Sequence, residues 1–224
     1  MKKLTLWLAV AVILLIPAIQ WSGNVFITDH LVSYRLPPGQ WFYLLSKLTA
    51  QYAFLFLTVQ LVFGLVLAVR PNALPWLTTK LHRTIGLTVL GTILLHAGLF
   101  VSAVGVRSGH FPATLLTINL DQGFYNLYVS FGLIAAGLLV IVALLGILRR
   151  FLSLILFRSA HRLAWLVWVF GFAHSYAIGT ETGGWVIWSW FYWFAGAVIG
   201  SLLLVRIILM TTQIEFLSAN KYIK

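Results

Sequence analysis

The sequence predicts an all-α polytopic membrane protein, a bundle of six transmembrane helices, and three observations carry that prediction. Hydrophobic residues fill 61% of the 224 positions and charged residues only 8%, against about 25% charged in soluble domains. Mean hydropathy is +0.99. Apolar runs close to the roughly 20 residues that cross a hydrocarbon core recur six times, with most basic residues between them. Soluble, disordered and collagen-like chains are excluded by the same numbers: the apolar fraction is too high, there are 6 prolines, and the 18 glycines show no three-residue period.

The six runs lie at about 4–21, 41–69, 81–104, 124–148, 162–179 and 185–210. The first follows Lys2 and Lys3, the pattern of a signal peptide, but no small-residue cleavage site follows Pro17, Ala18 and Ile19, so a retained helix is expected. The second begins at Trp41, and the third opens with Leu81-His82-Arg83. The fourth is apolar from Phe124 to Leu148, the fifth starts at Arg162, and the sixth starts at Trp185. Trp21, Trp41, Trp76 and Trp185 stand at run ends, where interfacial aromatic anchors belong.

Sorting the 15 Lys and Arg residues onto alternate sides of six spans puts twelve on one side: Lys2, Lys3, Arg70, Lys80, Arg83, Arg149, Arg150, Arg158, Arg162, Arg206, Lys221 and Lys224. Arg35 and Arg107 fall on the other, and Lys47 lies within the second span, able to snorkel. The positive-inside rule then places both termini in the cytoplasm. Asp29, Asp121 and Glu181 fall on the outer side. The net charge of +11 is thus topological and gives no reason to expect nucleic acid as a partner. The chain reads as a single domain over 1–224: its longest loops, near 22–40 and 105–123, have about 19 residues each, and no G-x-G-x-x-G or Walker A sequence occurs. With 0 cysteines, disulfides, thiolate metal sites and covalent haem attachment are excluded.

Four of the six histidines fall in or at the ends of spans, where ionisable groups are functional candidates by default. His82 and His96 share the third span, and His161 and His174 belong to the fifth. Both spans run outward, so His82 and His161 form an inner level and His96 and His174 an outer one. Fourteen residues separate His82 from His96, about 21 Å of helix and nearly four whole turns, so both share a face. Thirteen residues separate His161 from His174, about 3.6 turns, and a straight helix would turn them apart. An irregular lead-in turn around His161, or a bend near Gly171, would restore the alignment. Paired histidines at two depths between helices suit b-type haem, which needs two axial imidazoles and no covalent link. Gly86, Gly91, Gly98 and Gly171 lie near these histidines and leave room for a macrocycle. Arg83 and Arg162, next to the inner histidines, are candidates for pairing with haem propionates, and Arg107 for an outer anion. His30 and His110 are expected to be solvated loop residues.

The HR-x-x-G start at His82, the second histidine at His96 and the His161 to His174 pair resemble the ferric reductase-like transmembrane domain of ferric reductases, NADPH oxidases and the MsrQ (YedZ)-like haem-binding membrane subunits, over about residues 40–210. The resemblance implies a six-helix bundle with two b-type haems between helices 3 and 5. His82 and His161 would hold the inner haem, His96 and His174 the outer, and the 13-residue gap is usual there. It implies transmembrane electron transfer by an oxidoreductase subunit that uses flavin or NAD(P)H only through a partner. The donor would be a separate cytoplasmic flavoprotein reductase or a membrane quinol. The outer acceptor would be ferric iron, oxygen or a periplasmic reductase. Size favours the MsrQ-like type; His82 departs from it, since arginine is frequent there. The alternative from a different class is a histidine-lined proton or transition-metal transporter without haem.

Overall fold

The computed structural model describes the backbone over residues 2–23, 36–69, 76–180, 182 and 186–221, and side chains over 11–23, 36–69, 76–180, 182, 188–209 and 211. Every regular element among these residues is helical: α1 (Lys2–Gly23), α2 (Gln40–Val69), α3 (Thr79–Ser108), α4 (Phe124–Ile147), α5 (Leu154–His161), α6 (Ala164–Ile178) and α7 (Val186–Lys221). Short 3₁₀ turns cover Ala113–Leu116 and Leu148–Phe151. Five stretches are long and apolar enough to cross a membrane: Gln40–Val69, Thr79–Ser108, Phe124–Phe151, Leu154–Ile178 and Trp188–Leu209. In the first helix the described apolar part is the shorter Ala11–Gly23, so five spans are established where six are expected. His30, Arg35, Arg70, Asp29, Glu181, Trp185 and Lys224 lie outside the described residues.

The chain forms two compact units, Met1–Leu55 with Gly91–Thr117, and Phe56–Leu90 with Ile118–Lys224. Helices α2 and α3 contribute to both. In the first unit two side-chain hydrogen bonds tie α1 to α2. The Trp21 indole donates to the Leu44 carbonyl at 2.7 Å, and the Tyr52 hydroxyl donates to the Leu14 carbonyl at 2.8 Å. Pro17 lies inside α1 and is fully buried. Its ring disturbs the preceding turn, and a neighbouring helix supplying a donor there is how membrane helices tolerate proline. Trp21 therefore joins α1 to α2, whereas Trp41 and Trp76 are exposed as anchors should be.

In the second unit α4 packs along α6, and α6 meets α7. An aromatic ladder forms the second of these contacts: Phe172 stacks on Tyr176 at 5.6 Å, and Tyr192 packs against both. Such pairs add about 0.5–1.5 kcal/mol each beyond burial. The Trp168 indole donates to Thr58 Oγ1 at 3.3 Å, joining α6 to α2.

The fifth span is not one straight helix. It begins at Leu154 rather than near Arg162, capped by Ser153 Oγ accepting from the Leu156 amide at 3.3 Å. It then tightens between α5 and α6: Leu163 N–H reaches the Ala160 carbonyl and Trp165 N–H the Arg162 carbonyl, both at 3.0 Å. Bonds to the third preceding residue wind about 120° per residue instead of about 100°. The extra rotation falls between His161 and His174 and reduces the mismatch of a straight 13-residue run.

Candidate functional site

His161 is the last residue of α5, and His82 sits one turn into α3, its amide bonded to the Thr78 carbonyl at 3.0 Å. The two imidazoles meet with ring centroids 6.1 Å apart and planes at 65°. Both line a cavity of about 1250 Å³ lying wholly in the second unit. Arg83 and Arg162 line it too. Leu57, Leu61 and Val142 supply part of its apolar lining.

Three buried polar atoms at this site have no hydrogen-bond partner: His82 Nδ1, His161 Nδ1 and Gln60 Oε1. Gln60 places its amide nitrogen 3.1 Å from His82 Nε2. With the amide nitrogen donating, Nε2 accepts, the proton sits on Nδ1 and no lone pair is left for a metal; with the amide turned over, Nε2–H donates to Oε1 and Nδ1 keeps its lone pair, the form that ligation requires. Neither arrangement satisfies every polar atom of the pair, and each leaves a group orphaned. Each such group costs about 1–3 kcal/mol, which marks the pair as built for something other than packing. Two imidazoles at one cavity, each with an unpartnered Nδ1, are chemically able to coordinate a metal.

Small residues make the space. A Cβ on Gly86 would lie 3.0 Å from Gln60 Nε2, and one on Gly64 would lie 3.4 Å from His82 Cε1. On the far side, Phe157 stacks on His161 with centroids 5.1 Å apart and planes at 22°. The Arg149 guanidinium lies 5.3 Å from the Phe157 ring centroid.

Comparison with protein-family models, curated proteins and solved structures gives no match. The chemistry of the site therefore rests on its own residues.

His96 belongs to the first unit and His174 to the second. His96 Nδ1 lies 2.9 Å from the Ser46 carbonyl and 3.0 Å from Ser46 Oγ, whose own proton points to the His96 carbonyl at 3.3 Å. His174 Nδ1 lies 2.7 Å from the Tyr128 carbonyl. A carbonyl only accepts, so both rings carry their proton on Nδ1 and present a lone pair at Nε2. A histidine whose Nδ1–H is held by a carbonyl has the tautomer and orientation of a metal ligand. The approach to Tyr128 is possible only because position 132 is glycine: a Cβ there would lie 2.7 Å from His174 Nδ1.

Gly91 and Gly98, expected to make room near His96, have nothing within 4 Å of a Cβ, and Gly171 faces Leu57 Cδ2 at 3.5 Å. Gly64 and Gly132 face the His82 and His174 rings themselves, and Gly86 faces the Gln60 amide beside His82. Arg107 does not stand alone as an anion receptor: it donates to Gln40 Oε1, and its guanidinium lies 5.1 Å from the Tyr43 ring centroid. Lys47 approaches the same ring at 5.7 Å. His110 is exposed in the turn after α3, with Nδ1 3.0 Å from the Ser108 carbonyl. Gln60, Ser46 and Gly132 are the site residues that histidine spacing did not reveal. The first two were detectable as polar side chains inside apolar runs.

Proposed function

We propose that this protein carries electrons across a bacterial inner membrane through b-type haem, as a ferric reductase-like, MsrQ-like oxidoreductase subunit. The observation that carries the proposal is the half-buried His82–His161 pair, its ring centroids 6.1 Å apart, each ring with a buried, partnerless Nδ1 at a cavity of about 1250 Å³. His82 and His161 would be the axial ligands of one haem, with Arg83 and Arg162 available to its propionates. His96 and His174 would serve a second, each ring oriented by a backbone carbonyl. Bound there, haem supplies one-electron exchange at its iron.

The chain's own part is ligation, orientation and exclusion of water. Gln60 positions the His82 ring, and Ser46 and Tyr128 fix the tautomers of His96 and His174. The apolar part of the lining lowers the dielectric beside the histidines, which strengthens the pull of the flanking arginines on carboxylates. In this reading the first helix completes a six-span bundle, both termini are cytoplasmic, and the twelve basic residues face the cytoplasm. The electrons come from a separate flavoprotein reductase or a quinol and leave to ferric iron, oxygen or a periplasmic reductase.

A bare transition-metal transporter is the competing reading. Among the described residues no group of three or more His, Cys, Asp or Glu side chains gathers to hold an ion. Two imidazoles alone suit a metal whose remaining ligands come from a macrocycle. A visible spectrum and pyridine haemochrome assay on detergent-purified protein separates the readings. About two b haems per chain are expected, with one lost in His96→Ala or His174→Ala. A colourless protein from haem-replete cells would overturn the proposal.

A further inference from the structure

The cavity holds more positive charge than two propionates require. Besides Arg83 and Arg162 its lining includes Lys80, Arg149, Arg150, Arg158 and Arg206, and no carboxylate. These five come from four parts of the second unit: the start of α3, the 3₁₀ turn after α4, α5, and α7. Each stands near an end of a membrane-crossing stretch. Lys80 is the second residue of Thr79–Ser108, Arg149 and Arg150 close Phe124–Phe151, Arg158 is the fifth residue of Leu154–Ile178, and Arg206 is three short of the end of Trp188–Leu209. Two are held in place by aromatic faces, Arg149 at 5.3 Å from the Phe157 centroid and Arg150 at 4.5 Å from that of Phe151. Cations gathered this way repel one another unless an anion joins them.

We infer that this basic mouth binds the phosphate headgroup of an anionic phospholipid. Arginine presents a rigid fork that matches phosphate oxygens, and basic pockets between transmembrane helices recognise anionic headgroups in this way. The apolar surroundings identify the ligand as an amphiphile rather than a soluble phosphate. Phe151, Leu154, Ile155 and Leu156, between and beside the arginines in sequence, are 69%, 51%, 81% and 54% exposed. An acyl chain would cover these side chains while the headgroup met the guanidinium groups. This inference does not depend on haem, because the five cations are additional to the two given to propionates.

The test is native mass spectrometry of full-length protein released from nanodiscs of phosphatidylcholine doped with phosphatidylglycerol. Wild-type protein should retain phosphatidylglycerol in preference to phosphatidylcholine, equally in haem-replete and haem-deficient preparations. The triple variant Arg149→Gln, Arg150→Gln, Arg158→Gln should retain it at least about tenfold less. Arg→Lys at the same three positions, which keeps the charge and loses the fork, should fall between wild type and the triple Gln variant, and Arg107→Gln should keep all of the retention. Equal retention of both lipids, or undiminished retention in the triple Gln variant, would overturn the inference. So would retention seen only without haem, which would make the cluster a propionate site, or displacement by millimolar inorganic phosphate, which would make it a soluble-anion site. Lipid retention left intact while the triple Gln variant loses an acidic soluble protein would make this face a protein dock and equally refute it.

Discussion

Replacing Gly132 with alanine tests whether close approach of α4 and α6 sets the orientation of His174. An ideal Cβ at position 132 would lie 2.7 Å from Nδ1, 2.8 Å from Cε1 and 3.0 Å from Cγ of the ring. These are inside van der Waals contact, and the ring has little freedom to retreat because Nδ1 is bonded to the Tyr128 carbonyl at 2.7 Å. Overpacking of this kind costs about 1–3 kcal/mol. Gly→Ala within a helix also returns about 1 kcal/mol of backbone propensity, so a control on the same helix is needed. Gly137 provides one, since a Cβ there meets nothing within 4 Å. The difference between Gly132→Ala and Gly137→Ala removes the propensity contribution and leaves the clash, about 1–3 kcal/mol. At roughly 2–4 °C per kcal/mol for a chain of this size, the two midpoints should differ by about 2–12 °C in thermal unfolding followed by tryptophan fluorescence. The Gly132→Ala protein should also lose the outer haem. Midpoints within about 1 °C of each other, with haem content intact in both, would refute the reasoning.

Three further outcomes follow from the same geometry. Gln60→Leu removes the amide beside His82 Nε2 and should weaken haemin binding about 10–100-fold, as loss of a ligand-orienting partner does; haemin titration followed at the Soret band would show it, and unchanged affinity would exclude a positioning role. Ser46→Ala should cost only about 0.5–1.5 kcal/mol, because the Ser46 carbonyl still receives the His96 Nδ1 proton; a larger loss in thermal unfolding would mean that the hydroxyl is the principal anchor. If the basic face docks an acidic flavoprotein, haem reduction by that partner should slow as ionic strength rises. Rates indifferent to salt would rule that docking out.

The membrane-crossing helices were largely legible because lipid constrains sequence so tightly. The runs at 41–69 and 124–148 match Gln40–Val69 and Phe124–Ile147 to within a residue at each end. The third and sixth runs were underestimated at their polar ends, where Thr79 and Lys80 begin α3 and α7 continues to Lys221. Hydropathy falls there although helical hydrogen bonding continues. The tightening at Arg162 and Leu163 carried no proline or glycine signal, so its place was not readable, although the imperfect phase of His161 and His174 required something of the kind. The pairing of His82 with His161 followed from matching depth. Gly132 was not legible, because its clash partner comes from another helix and glycines in membrane helices otherwise look alike.

The central claim rests on the His82–His161 pair, and spectra of the single variants His82→Ala and His161→Ala against wild type test it most directly. Each variant should fold and yet lose the low-spin signature of about one haem, because either imidazole is indispensable to two-sided ligation. Full haem content with an unchanged low-spin spectrum in both variants would show that these histidines ligate nothing and contradict the account.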